Sequence, residues 1–103
     1  MSKYGNRKTE IDGFLFDSIR EANRYQELKL LERAGEIENL ELQPKYSVDI
    51  NGKHICNYFA DFRYFDKRDG VTITEDAKGM KTDVYKIKKK LVEAIYSIKI
   101  VEV

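Results

Sequence analysis

The spacing of apolar residues changes several times along the chain, and each change predicts an element. Thr9-Glu10-Ile11 and Phe14-Leu15-Phe16 flank Asp12-Gly13. Both central positions of a two-residue hairpin turn need positive φ, which this dipeptide tolerates, so a short N-terminal hairpin is predicted. Ser18-Ile19-Arg20-Glu21 has the form of a capping box, with Ser18 as N-cap and Glu21 reaching back to the cap backbone. The helix it opens is predicted to run to about Ala34, where Gly35 suits a left-handed C-cap. Its apolar residues Ile19, Ala22, Tyr25, Leu28, Leu30 and Leu31 spread around more than one side, which predicts contacts on two faces. Glu21 lies on the line of Tyr25 and Leu28, an unusual place for a solvated charge.

From Leu42 the period falls to two. Leu42, Pro44, Tyr46, Val48 and Ile50 alternate with Gln43, Lys45, Ser47 and Asp49, predicting a half-buried strand over 42–50. Asn51-Gly52 turns it into a second strand, from 54 to about 65. There Cys56, Tyr58, Ala60, Phe62 and Tyr64 form one face, and Ile55, Phe59 and Phe65 share the other with Asn57, Asp61 and Arg63. A strand apolar on both faces belongs in the middle of a sheet. After a turn at 66–70, a third strand is predicted over 71–78, ended by Gly79. Thr82 caps a second helix, in which Val84, Ile87, Leu91, Ala94, Ile95 and Ile98 keep helical spacing with lysines on the opposite side. Residues 99–103 are β-branched and alternating, so a final short strand closes the chain. The order predicts one α/β (α+β) domain over 1–103, with 1–8 as a loose polar arm.

Composition narrows the chemistry. The 103 residues are 42% hydrophobic and carry seven tyrosines and five phenylalanines, enough for a single core. A domain of this size buries only ~60–70% of its unfolded surface, so an oligomer interface would be a natural supplement. No apolar run approaches the ~20 residues of a transmembrane helix, and the start resembles no signal peptide; a soluble, cytoplasmic protein with no membrane partner is expected. Cys56 is the single cysteine and His54 the single histidine, which leaves no internal disulfide and no Cys/His zinc site. Any metal must be held by oxygen. The net charge of +1 says little about partners, but its distribution is lopsided. Lys78, Lys81, Lys86, Lys88, Lys89 and Lys90 stand against Asp83 alone, whereas Glu32, Glu36, Glu38 and Glu41 crowd an earlier stretch.

The strongest candidate chemistry is Asp61 with Asp76-Ala77-Lys78. Two carboxylates and an ammonium gathered at one sheet end can hold a divalent metal and help water attack a phosphodiester. Asp76 and Lys78, two apart on a strand, project the same way. Asp61 joins them only in one register: a four-residue turn pairs Asp66 with Val71 and sets Asp61 opposite Asp76, whereas a five-residue turn pairs Asp61 with Glu75. The plainer reading of these charges is a surface salt-bridge ladder. Glu21 is explained as well by its capping box, and the lysines of the second helix by a solvated face. With a two-residue turn at Asn51-Gly52, Gln43 faces Ala60, on the wrong side for this site, unless a bulge at Pro44 intervenes.

The order of these segments resembles the PD-(D/E)XK nuclease superfamily, whose restriction-endonuclease-like core runs αβββαβ. Gly13-Phe14-Leu15-Phe16-Asp17-Ser18 through Glu21-Ala22, then Leu42-Gln43-Pro44-Lys45, Ala60-Asp61-Phe62 and Glu75-Asp76-Ala77-Lys78-Gly79 look like small phage and prophage proteins akin to Holliday junction resolvases. The resemblance implies a small mixed sheet flanked by helices. It implies Asp61, Asp76 and the helix carboxylate Glu21 as metal ligands and catalytic residues, and Lys78 as the catalytic group that orients the attacking water. It further implies Mg²⁺, for which Mn²⁺ would substitute, no small-molecule cofactor, and DNA, branched or junction-shaped, gripped by Lys81, Lys86, Lys89 and Lys90. A homodimer in the cytoplasm of a bacterial host follows by the same analogy. The chain departs from the pattern in having Ala60 rather than proline before Asp61. Glu75 adjoins Asp76, so which acid would bind metal is open. A non-catalytic DNA-binding protein on such a scaffold, or a phage protein-interaction module, are the competing expectations.

Overall fold

A computed structural model describes residues 8–78 and 81–103; the loose arm expected at 1–8, Lys8 apart, and the strand-ending Gly79 lie outside the described residues. Asp12 and Gly13 both take positive φ, +55° and +82°. That turn joins β1 (Thr9–Ile11) to β2 (Phe14–Phe16) as the predicted hairpin. Helix α1 (Ile19–Arg33) begins where Ser18 Oγ accepts the Glu21 N–H at 3.1 Å and ends at Ala34, with Gly35 at φ +78°. Its buried residues, Glu21, Ala22, Tyr25 and Leu28, form one stripe, and Ile19, Leu30 and Leu31 are exposed. Among the described residues the expected second contact face is therefore absent, because the sheet and N-terminal hairpin lie against only one side of the helix.

Both long strands read from the alternation are broken. The strand expected over 42–50 is divided at Gln43-Pro44 between β3 (Ile37–Leu42) and β4 (Lys45–Ile50), and the one expected over 54–65 at Ala60-Asp61 between β5 (Lys53–Phe59) and β6 (Phe62–Asp66). The two breaks face each other: Gln43 N–H donates to the Asp61 carbonyl at 2.9 Å and Ala60 N–H to the Pro44 carbonyl at 3.1 Å, so the ladder bends as a unit. Most of β3 was not expected as strand. A register shift between Glu38 and Glu41, with Asn39 at φ +58°, puts Leu40 out of alternation with Ile37 and hides the period.

β6 sits centrally in a four-stranded sheet of order β3-β6-β7-β8, where β7 is Val71–Asp76 and β8 is Ile100–Glu102. Its first three strands are antiparallel, and β8 runs parallel to β7, so α2 (Asp83–Tyr96) is the crossover between them. One core lies under α1 and gathers Phe16, Tyr25, Leu28, Ile37, Phe62 and Tyr64. In the other, Tyr46, Val48, Tyr58 and Ala60 of the β4–β5 arm meet Val92 of α2 and Ile100 of β8. The Tyr46 hydroxyl reaches Thr74 Oγ1 of β7 at 2.8 Å. The fold is thus the α+β arrangement expected.

Helix α2 uses only part of the expected side: Leu91, and Ile98 just past the helix, pack against the second core. Val92 is its buried residue, whereas Val84 and Ile87 are 62% and 59% exposed and Ile95 is exposed as well. Beside Leu91 and Val92 the packed side carries Tyr85, Lys88 and Lys89, with the exposed Tyr96 at its margin. These lay apolar stems inward while their polar tips reach Glu102, the Asn57 carbonyl and the Ser47 carbonyl. No helix among the described residues is long and apolar enough to cross a membrane.

Candidate active site

The site is built where β7 ends and the bent ladder passes beside it. Asp66 pairs with Val71 and Phe62 with Glu75, which is the register that brings Asp61 to Asp76 rather than sending Asp76 to the far face. Asp61 lies just before β6. Its N–H donates to the Glu75 carbonyl at 3.0 Å, and its Oδ2 accepts the Ala77 N–H at 2.7 Å. One carboxylate oxygen of Asp61 thereby fixes the turn that leads from Asp76 to Lys78.

Asp76 is wholly buried, and neither carboxylate oxygen has a hydrogen-bond partner among the described residues. The Lys78 Nζ stands 3.9 Å from its Oδ1 and 5.4 Å from the centre of the Tyr85 ring. Burial pushes the Asp76 carboxyl up to about 6, with Lys78 pulling the other way. Lys78 stands too far off for a hydrogen bond and compensates this buried charge only in part, so the group takes up a proton readily or suits a further cation.

Glu21 enters from the first turn of α1. The capping box is half used: Ser18 accepts from the Glu21 backbone, while the Glu21 carboxyl lies close enough to Asp61 to feel its charge. Burial first, and the negative charges of Asp61 and Asp17 after it, push Glu21 up to about 7. Asp61 is raised too, by burial, against the Ala77 N–H and Lys78, which favour its charged form. Glu21 and Asp61 thus make one coupled pair and Asp76 with Lys78 another, and Lys78 acts on all three acids. Among the described residues, no three His, Cys, Asp or Glu side chains are drawn together tightly enough to form a ready metal cage.

Glu75 is committed elsewhere. It points to the α1 side of the sheet, where Arg24 grips it bidentately at 2.8 and 2.7 Å and the Tyr64 hydroxyl donates to it. Those bonds hold the Arg24 guanidinium and the Tyr64 hydroxyl well above their ordinary ranges; for Tyr64, burial is the larger cause. Gln43 sits beside the site and not opposite Ala60. An extra residue in β5, between His54 and Cys56, shifts the pairing by one and brings Gln43 against Asp61. The bulge is thus at Ile55 rather than Pro44.

The lysines divide. Lys81 and Lys89 converge on Glu102 of β8, at 3.1 and 3.5 Å. Lys86 and Lys90 are exposed on the outer side of α2. Sequence reasoning missed Glu102, Tyr85, Arg24 and Tyr64; the alternation of β8 was the one available signal, since it put Glu102 on a strand.

Glu21, Asp61, Asp76 and Lys78 lie within a family match spanning 1–101, to a protein of unknown function, DUF1064, and Glu102 lies just beyond it. The chain belongs to the DUF1064 family. No curated protein and no solved structure gives a match. Membership in DUF1064 therefore attaches the site to a family without attaching a reaction to it.

Proposed function

We propose that this chain is a metal-dependent endodeoxyribonuclease that hydrolyses phosphodiesters of branched DNA as a homodimer. The observation that carries the reading is Asp76: a fully buried carboxylate with neither oxygen hydrogen-bonded among the described residues, beside Asp61 and with the Lys78 ammonium 3.9 Å away. A hard divalent cation suits that donor. Mg²⁺ keeps several waters and needs only one or two protein carboxylates beside substrate phosphates, so Asp76 with Asp61 suffices without a closed cage. Bound there, the metal would supply Lewis-acid polarisation of the phosphoryl group. Lys78 contributes a positive charge toward a developing phosphorane and orients the attacking water. Glu21, whose carboxyl burial pushes up to about 7, is suited to take up or return a proton at neutral pH. The helix, bent ladder, β7, crossover helix and β8 follow the order implied by the nuclease resemblance, and this supports the same reading.

The test is a four-way junction incubated with Mg²⁺ or Mn²⁺ beside linear, flapped and single-stranded DNA. The junction is expected to be cut, and Asp76→Ala to lose at least ~10²-fold in rate. If wild type cuts no DNA form with either metal, the reading gives way to a DNA-binding protein without catalysis. If it does not associate with DNA at low salt, it gives way to a protein-interaction module.

Symmetric cutting needs two sites, and the exposed stripe of Val84, Ile87 and Ile95 on α2 supports pairing with a second copy. Sedimentation should show a dimer that Ile87→Lys converts to monomer. A wild-type monomer at every concentration removes dimerisation from the proposal.

A further inference from the structure

Glu102 occupies an unusual position for a carboxylate on an edge strand. Its Oε2 accepts the Tyr85 hydroxyl at 2.7 Å and faces the Lys89 Nζ at 3.5 Å, and its Oε1 faces the Lys81 Nζ at 3.1 Å. Tyr85 and Lys89, four residues apart, share one face of α2, and Lys81 joins them from the segment before the helix. They hold Glu102 below the ordinary carboxylate range, the Tyr85 hydroxyl most of all. In the parallel pairing of β7 with β8, Glu102 is the partner of Asp76, so this cluster lies one strand away from the candidate reacting centre. Lys78, whose ammonium lies over the Tyr85 ring, borders both.

A carboxylate ringed by two ammonium groups and a phenol has the chemistry of a phosphate oxyanion in its receptor. We propose that Lys81, Tyr85 and Lys89 form a phosphodiester-binding site beside Asp76, and that Glu102 is the chain's own anion standing in it until a phosphate backbone displaces it. The displacement is feasible because the pairs are partly solvated, and exposed ion pairs are individually weak. Glu102 is tethered, so a lone monoanion competes poorly. A polyanion that also engages the exposed Lys86 and Lys90 releases several counterions at once and competes well. The site thereby favours a continuous phosphate backbone over a single phosphate.

The inference rests on the DNA-cutting reading only for the identity of the polyanion. Binding is therefore measured in EDTA, apart from cleavage, by anisotropy of a fluorescein-labelled DNA duplex and by NMR titration with tripolyphosphate. Glu102→Gln keeps an acceptor for Tyr85 and removes the competing charge. It is expected to bind the duplex roughly threefold to tenfold more tightly than wild type. Glu38→Gln, on the opposite edge strand, makes the same change in net charge and is expected to gain less than about twofold. Lys89→Ala, added to Glu102→Gln, should cancel the gain and lower the salt dependence by about one phosphate contact. An affinity for Glu102→Gln no greater than that of Glu38→Gln overturns the proposal. Should no variant bind DNA, tripolyphosphate shifts at Tyr85 and Lys89 that strengthen in Glu102→Gln would uphold the anion site while the nuclease reading fails. Absence of those shifts as well would overturn both.

Discussion

Asp76→Asn is expected to raise the melting temperature of the metal-free protein at pH 8 by on the order of 10 °C while abolishing metal-dependent cutting. The cause is the buried carboxyl, raised from 3.8 to about 6. The folded chain holds this proton more tightly than the unfolded chain does. Asp76 therefore contributes its full stability below about pH 4 and loses it as pH rises through about 6. A displacement of that size corresponds to roughly 3 kcal/mol. Asparagine still buries polar atoms but no charge, so the variant escapes most of the penalty. Wild type should accordingly melt lower at pH 8 than at pH 5, Asp76→Asn should show much less of that slope, and Mg²⁺ should restore wild type alone. Thermal melts from pH 5 to 8, with Mg²⁺ or EDTA, check this. Parallel pH profiles for the two proteins would show that Asp76 is not a strained, ionisable group.

Arg24→Met should cost about 3–5 kcal/mol in urea unfolding. Glu75 is 1% exposed, and the bidentate Arg24 contact supplies its cation. Removing the guanidinium strands a buried carboxylate, and the Tyr64 hydroxyl alone cannot replace a charge. Arg24→Met combined with Glu75→Gln should recover most of the loss, since the introduced amide still accepts from Tyr64 and carries no charge. The clamp also matters to the site. Arg24 is one helical turn beyond Glu21, and Glu75 is the residue before Asp76, so the pair ties α1 to β7 next to the residues that carry the site. Equal unfolding energies for the single and double variants would mean that the stranded charge is not what destabilises the protein.

The same two positions on β7 show how far local pattern reaches. A strand alternates its faces, so Glu75 and Asp76 had to point to opposite sides, but the turn was open to four or five residues, and only the observed pairing of Asp66 with Val71 decides which acid meets Asp61. The N-terminal hairpin, both N-caps and the end of α1 were equally legible, because each depends on φ preferences or on a hydroxyl within three residues of the group it serves. Bulges were not. The extra residue at Ile55 and the positive φ of Asn39 cost little locally and leave no composition mark, yet each moves the pairing of everything beyond it. Gln43 and most of β3 were misread for that reason.

Helix α2 failed in a different way. Its apolar stripe is real, but periodicity reports only that one side is apolar, not what stands opposite. Tyr85, Lys88, Lys89 and Tyr96 found partners on β5, β8 and β4, and Val84 and Ile87 were left outside. Short-range geometry and residue inventory thus settle, from the chain alone, the helices and turns, the opposite projection of Glu75 and Asp76, and the lack of a Cys/His metal site. Packing was needed to turn Glu21 from its cap to Asp61, to bury Asp76 without a partner among the described residues, and to gather Lys81, Tyr85 and Lys89 around Glu102. Those facts depend on contacts between segments far apart in the chain and on the water that packing excludes.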